Sequence, residues 1–420
     1  MRDCSVVAPT GEMSQADRSL LTYRCELRRA VSTGIIESCT STFFLLVALR
    51  AFHAGPTAKS FISAAGNSGL LLTPWVVGLT ARRNLPVARV AMVCAGVGAA
   101  AALGAIPGHS VTLYVVLSFI AMAAMNVTTP LRTQIYNDNF APHERGRLVS
   151  RTIMIRVGAI SVAGLTMGRI VGPGATRFRL LLVIVALAYV NEMFVFARIP
   201  SGHLAPAAVG RLRHNLVRAW HDRLLRTTLT SWMLMGIANL MMVPLRVDYL
   251  ANPRYGLNFS VGKVALLTVF VPAMARIVSS PVYGWIFDHA NFFTVRMVLN
   301  AGFGASIIMF FSGTTLPMLI IGSAVFGIAQ AGGDILWSLW VTKFSPPDRI
   351  ADDMSVHTFT TGVRGVLAPF IAFPLAQHLA IGWMGALCAL LIGCGTLVLL
   401  PELRHETARR RERYGLFSPE

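Results

Sequence analysis

The sequence predicts an all-α membrane protein of twelve transmembrane helices arranged as two pseudo-symmetric halves of six. Three observations predict it. Hydrophobic residues make up 54% of the 420-residue chain and charged residues only 13%. The charges fall in clusters separated by apolar runs long enough to cross roughly 30 Å of hydrocarbon as helix. Short patterns in the first half of the chain return in the second at an offset of roughly 205 residues. A mean hydropathy of +0.60 is above what soluble domains carry.

The apolar runs place spans near 31–52, 58–80, 86–107, 111–136, 150–173 and 176–198, then near 226–251, 261–287, 292–312, 315–343, 357–377 and 380–400. They divide the chain into a cytoplasmic segment over 1–30, a six-helix half over 31–198, a linker over 199–225, a second half over 226–400 and a basic tail over 401–420. The first thirty residues mix Asp3, Glu12, Asp17, Arg24, Glu26, Arg28 and Arg29, with no short apolar region ahead of a small-residue cleavage site. No removed signal peptide is expected.

A net charge of +18 is too large to ignore, and its distribution decides its meaning. With both ends in the cytoplasm, roughly 25 Lys and Arg residues fall on the inner side against 6 on the outer side. Arg82, Arg83, Arg147, Arg151 and Arg218 are among the inner ones, and Arg50, Lys59 and Arg254 among the outer. That bias orients a chain in an inner (plasma) membrane and accounts for the charge without nucleic acid. Between 206 and 226, Val209, Leu212, Leu216, Trp220 and Leu224 recur at three- to four-residue spacing among arginines, the pattern of a helix lying on the inner leaflet. The six cysteines form no CxxC pair, and several sit in apolar runs as small hydrophobes. Neither disulfide, metal nor other cofactor is expected, and a monomer is the expected state.

The internal repeat carries the most information about function. Ala95-Gly96-Val97-Gly98-Ala99 returns as Ala301-Gly302-Phe303-Gly304-Ala305, with Arg89 matched by Arg296. Phe140-Ala141-Pro142-His143-Glu144-Arg145 returns as Phe344-Ser345-Pro346-Pro347-Asp348-Arg349, and Gly158 as Gly362. Two elements in register, in equivalent places, mark a duplicated architecture. Duplicated halves around a midplane site are what alternating access requires.

Six plus six spans, a basic central linker and short cytoplasmic loops after the second and eighth spans resemble the major facilitator superfamily beyond about residue 30. The family's loop motif, G-x-L-x-D-R-x-G-R, is matched in part by Gly284-Trp285-Ile286-Phe287-Asp288-His289 followed by Arg296. The first-half counterpart, Gly78-Leu79-Thr80-Ala81-Arg82-Arg83, lacks the acid, and the fourth span shows Asn126, Pro130 and Arg132 where the family often has RxxQG. The resemblance implies secondary transport of a small solute through the bilayer. It also implies a cytoplasmic gate in which Arg82 and Arg83 face Asp352 and Asp353, while Asp288 faces Arg147 or Arg151.

Ionisable groups inside spans are costly and mark site candidates. Glu37, beside Thr33, Ser38, Thr40 and Ser41, and Asp334, after Gly332 and Gly333, are candidate proton carriers; a structural ion pair is the competing role for Glu37. Arg276, between Pro272 and Pro281, is the deepest cation and the leading solute contact, because a guanidinium offers a planar fork to carboxylate or phosphate. Asp334, Asn126 and Gln330 join it as candidate binding residues; bonding between helices is the other role open to the amides. With Arg156, Arg246 and Arg364 added, cations outnumber acids, which favours an anionic or zwitterionic solute. No HExxH, GxSxG, Walker loop or complete GxGxxG is present, so no enzyme is expected. The rival classes are a lipid translocator and a non-transporting sensor on the same fold.

Overall fold

The computed structural model of the chain describes residues 13–108, 110–172, 175–204, 212–345 and 349–403. Among the described residues, twelve helices are long and apolar enough to cross a membrane. Spans 1 to 6 are Gln15–Arg50, Pro56–Arg82, Val87–Gly104, Val111–Asn139, Glu144–Ile170 and Phe178–Arg198. Spans 7 to 12 are Arg223–Ala251, Val261–Phe287, Phe292–Ser312, Leu316–Trp337, Asp352–His378 and Ile381–Leu403. An even number of crossings puts the start of span 1 and the end of span 12 on one face, called here the termini face.

The starts follow local chemistry. Ser14, Asp222 and Asn291 each accept a backbone N–H from the first turn of the helix they precede, the usual N-cap bond. Pro56 opens span 2 at a position where its missing N–H costs nothing. The helix of span 1 begins at Gln15, ahead of the apolar run that starts near 31. Its extra turns are polar, yet Thr22, Cys25, Glu26 and Arg29 are buried within the first half, so hydropathy alone cannot find them. In the linker a helix covers Leu212–His221; residues 205–211, the start of the amphipathic stretch, lie outside the described residues, as do residues 1–12 and most of the basic tail.

Each half packs its spans in the same scheme. Span 1 lies against 5 and 6, span 2 against 4, and span 3 against 4 and 6; span 7 lies against 11 and 12, span 8 against 10, and span 9 against 10 and 12. The halves meet where span 2 crosses span 11 and span 5 crosses span 8. Close approach there needs glycine. A Cβ on Gly365 would overlap the Asn67 side chain, and one on Gly164 would press on Val269 at 2.6 Å. Span 1 widens to a π-helical turn at Cys39–Phe43 and span 8 at Leu266–Phe270, features common at functional sites. The two turns touch through the Thr42 and Thr268 hydroxyls, 3.1 Å apart.

Among the described residues, the hydrogen bonds and ion pairs joining the two six-span bundles run from mid-height to the face opposite the termini. Besides Thr42–Thr268, Lys59 Nζ lies 2.6 Å from Asp248 Oδ1, Ser60 donates to the Pro369 carbonyl at 3.0 Å, and Arg50 donates to the carbonyls of Ala251 and Phe259. The molecule is closed at that face.

Candidate functional site

Between the halves lies a cavity of about 410 Å³. Spans 1, 7, 8, 10 and 11 supply most of its wall, and four of the residues singled out from sequence line it: Glu37, Arg276, Gln330 and Asp334. The span that carries Arg276 offers no acid one turn away. Span 10 brings one: Arg276 Nε lies 2.6 Å from Asp334 Oδ2. In the other half, Arg156 Nη1 lies 3.6 Å from Glu37 Oε2. Each half thus presents one acid–arginine pair to the middle of the protein. The acids keep contact with the cavity, Glu37 being 29% and Asp334 42% exposed.

Two further cations on the wall find no acid among the described residues. Arg246 stacks over Phe326 at 3.6 Å and reaches Ser306 at 3.4 Å. Arg364 crosses from span 11 to donate to the Trp232 carbonyl and, at 3.2 Å, to Thr361. Its path runs over Gly236, where any Cβ would collide with the guanidinium. The cavity therefore carries an excess of positive charge on the side of the second half, at a depth where charge is expensive.

Asn126 does not line the cavity. Its amide donates to the Gly66 carbonyl at 2.9 Å, tying span 4 to span 2. Arg82 and Arg83 form no ion pair with Asp352 or Asp353 among the described residues: Asp353 is held by Arg218 at 2.5 Å and by Ser345 at 2.7 Å, and Asp352 by Asn215 at 3.0 Å. Arg82, Arg83 and Arg151 are exposed, and Arg147 pairs with Glu144 at 3.0 Å. The side chain of Asp288 lies outside the described ones.

Sequence reasoning passed over two clusters. Lys59 read as an outer-side charge and Asp248 was not singled out, yet they are 6% and 3% exposed and bridge the halves. Glu26 and Arg29 read as part of a polar leader, yet Arg29 bonds Glu26 at 2.7 Å and lies 3.7 Å from Glu192, deep in the first half. Tyr136 donates to Glu26 at 2.5 Å, and Thr33 donates to Glu192. The available signal for both was helical periodicity continued past the apolar run, which puts these charges on the packed face.

Twelve spans in two like halves, closed at one face around a charged central cavity, define a membrane transporter rather than an enzyme. Residues 30–369 match the family model of the Major Facilitator Superfamily, and the chain belongs to that superfamily of secondary transporters, which move small solutes across membranes. No curated protein matches the chain. Among solved structures it is similar to the nucleoside transporter NupG, at 14% identity over 91% of this chain and 98% of that one, with a TM-score of 0.69. It is also similar to a D-xylose-proton symporter (14% identity, 92% and 98% covered, TM-score 0.67). A third is the human organic anion transporter MFSD10 (13% identity, 92% and 100% covered, TM-score 0.65). At such identities the likeness concerns the fold.

Proposed function

We propose that this transporter moves a small anionic or zwitterionic solute in exchange with protons or together with them, and that the solute binds between the Glu37–Arg156 and Arg276–Asp334 pairs. The observation behind this reading is that one partly exposed acid–arginine pair from each half reaches the same cavity. A zwitterion can set its carboxylate against Arg276 and its ammonium against Glu37 or Asp334, trading internal pairs for pairs with the solute. Because the two pairs ride on different halves, binding then depends on how the halves stand. Arg246 and Arg364 tilt the balance toward negative charge. Glu37 and Asp334 are open enough to the cavity to take up a proton, and protonation frees the arginine opposite for a solute anion.

The positive-inside bias supports both termini lying in the cytoplasm of an inner (plasma) membrane. On that reading the structure is the inward-facing state, closed outside by Lys59–Asp248 and Arg50, with the gate of Arg82 and Arg83 against Asp352 and Asp353 unmade. Uptake into proteoliposomes, across amino acids, carboxylates, phosphate esters and neutral sugars, with and without a pH gradient, tests the proposal. Gradient-driven accumulation of charged solutes is expected. Accumulation of neutral sugars alone, or binding of charged solutes without flux, refutes it.

A further inference from the structure

Inside the second half, toward the termini face, five side chains on the helices of four spans meet with buried nitrogen atoms that find no hydrogen-bond partner among the described residues. Arg296 of span 9 is 1% exposed, and its Nε, Nη1 and Nη2 make no hydrogen bond among the described residues. Its guanidinium lies 3.5 Å over the Trp232 ring, and that of Arg364 lies 5.7 Å from the same ring. His357, fully buried, packs its ring at 5.2 Å from Trp232 and 5.3 Å from Trp340. Both ring nitrogens of His357, the indole N–H groups of Trp232 and Trp340, and Nε of Arg364 are likewise buried without a partner among the described residues.

Stacking on Trp232 satisfies the face of Arg296 and none of its edge donors. A guanidinium taken out of water without counter-charge or acceptor is among the costliest states a protein interior can hold. The first half shows how this fold treats a structural arginine: Arg29, equally buried, receives Glu26 and Glu192. Among the described residues, the second half supplies no such acid to Arg296. The acids on the helices of spans 10 and 11 are engaged elsewhere, Asp334 by Arg276 and Asp352 and Asp353 by Arg218. A converging set of donors, two of them permanently cationic, is complementary to an anion.

We infer that Arg296, Arg364, His357, Trp232 and Trp340 form a binding site for a small anion within the second half, adjoining the transport cavity. Trp232 and Arg364 also line that cavity, which gives the anion a way in. Its chemistry is that of a compact acceptor, either a free inorganic ion or the carboxylate or phosphate group of a solute. The site is separate from the Glu37 and Asp334 pairs and does not depend on which solute is moved.

The test uses the purified full-length protein, exchanged from gluconate into chloride, phosphate or acetate at constant ionic strength, with tryptophan fluorescence and melting temperature as readouts. A saturable, anion-specific change in both is expected. Arg296→Gln should raise the half-saturating concentration about tenfold or more, the loss of a charge-assisted bond. His357→Phe, which keeps a ring and removes the donors, should weaken it too. Relative to gluconate, a response to chloride or phosphate assigns the site to a free ion, and one to acetate alone assigns it to the carboxylate of a solute. Identical behaviour of the wild type in gluconate and every other anion overturns the inference without any variant. So does a response unchanged in both variants, or an Arg296→Gln protein that is more stable than wild type by the same margin in all anions. Solute uptake in proteoliposomes without any anion response overturns this site and leaves the transport reading standing.

Discussion

The pair that closes the face opposite the termini makes a quantitative prediction. Lys59 and Asp248 sit 2.6 Å apart at 6% and 3% exposure, one on each half. Asp248→Asn leaves the ammonium buried, a loss of about 3–5 kcal/mol for an interior pair broken on one side. In the state open at this face both groups meet water, where the pair contributes about 0–1 kcal/mol. The closed state alone therefore bears about 2–5 kcal/mol. The Phe373 ring, 5.6 Å from the Lys59 ammonium, softens the loss and favours a value near 3 kcal/mol. At about 1.4 kcal/mol per factor of ten, the equilibrium should move roughly a hundredfold toward the state open at this face. The assay is reaction of Leu240→Cys, on the cavity wall, with a membrane-impermeant maleimide applied from that face in a background free of the six native cysteines. Labelling should accelerate by one to two orders of magnitude in Asp248→Asn and return toward the parent rate in Lys59→Asp/Asp248→Lys. Unchanged labelling in folded Asp248→Asn, or a swap as reactive as the single variant, refutes the reasoning.

Three further outcomes are expected. Glu37→Gln and Asp334→Asn should each abolish gradient-driven accumulation while solute counterflow survives; if both variants still accumulate solute, protons do not couple through these carboxylates. Arg276→Lys keeps the charge and loses the fork, so solute affinity should fall about tenfold, the scale of one charge-assisted bond, and further in Arg276→Ala; equal affinity in all three proteins removes Arg276 from the site. At the termini face, Arg82→Asp/Arg83→Asp and Asp352→Arg/Asp353→Arg should each raise labelling of Leu240→Cys from that side, and the combination should restore it. Since Arg218 holds Asp353 in this structure, Arg218→Ala should lower that labelling by freeing the acids for Arg82 and Arg83; additive effects without recovery exclude direct pairing.

The spans themselves were legible because crossing a bilayer imposes a length and an apolar composition on each helix separately. The duplication was legible because the sequence at 140–145 returns as a like pattern at 344–349. Span 1 shows where that reading stops. Gln15–Ser38 carries Glu26 and Arg29 on a buried face that meets Tyr136 of span 4 and Glu192 of span 6, so its first four turns look like a soluble leader to any window of hydropathy. Arg296 illustrates the same limit from the other side: it matches Arg89 in the repeat, but Arg89 is exposed and Arg296 is 1% exposed.

By itself, then, the sequence determined the class: a helical membrane protein in two related halves, with Glu37, Arg276, Gln330 and Asp334 among the few polar groups that bilayer energetics would tolerate only at a site. Tertiary structure alone decided the pairing. Whether Arg276 stands free or meets Asp334, whether Lys59 belongs to a loop or to a closure, and whether Asn126 faces solute or the Gly66 carbonyl depend on contacts between residues 58 to 189 positions apart. Span lengths and periodicity act within one helix, whereas a charge's partner is set by which helices pack and at what height, and no local pattern in the chain encodes that.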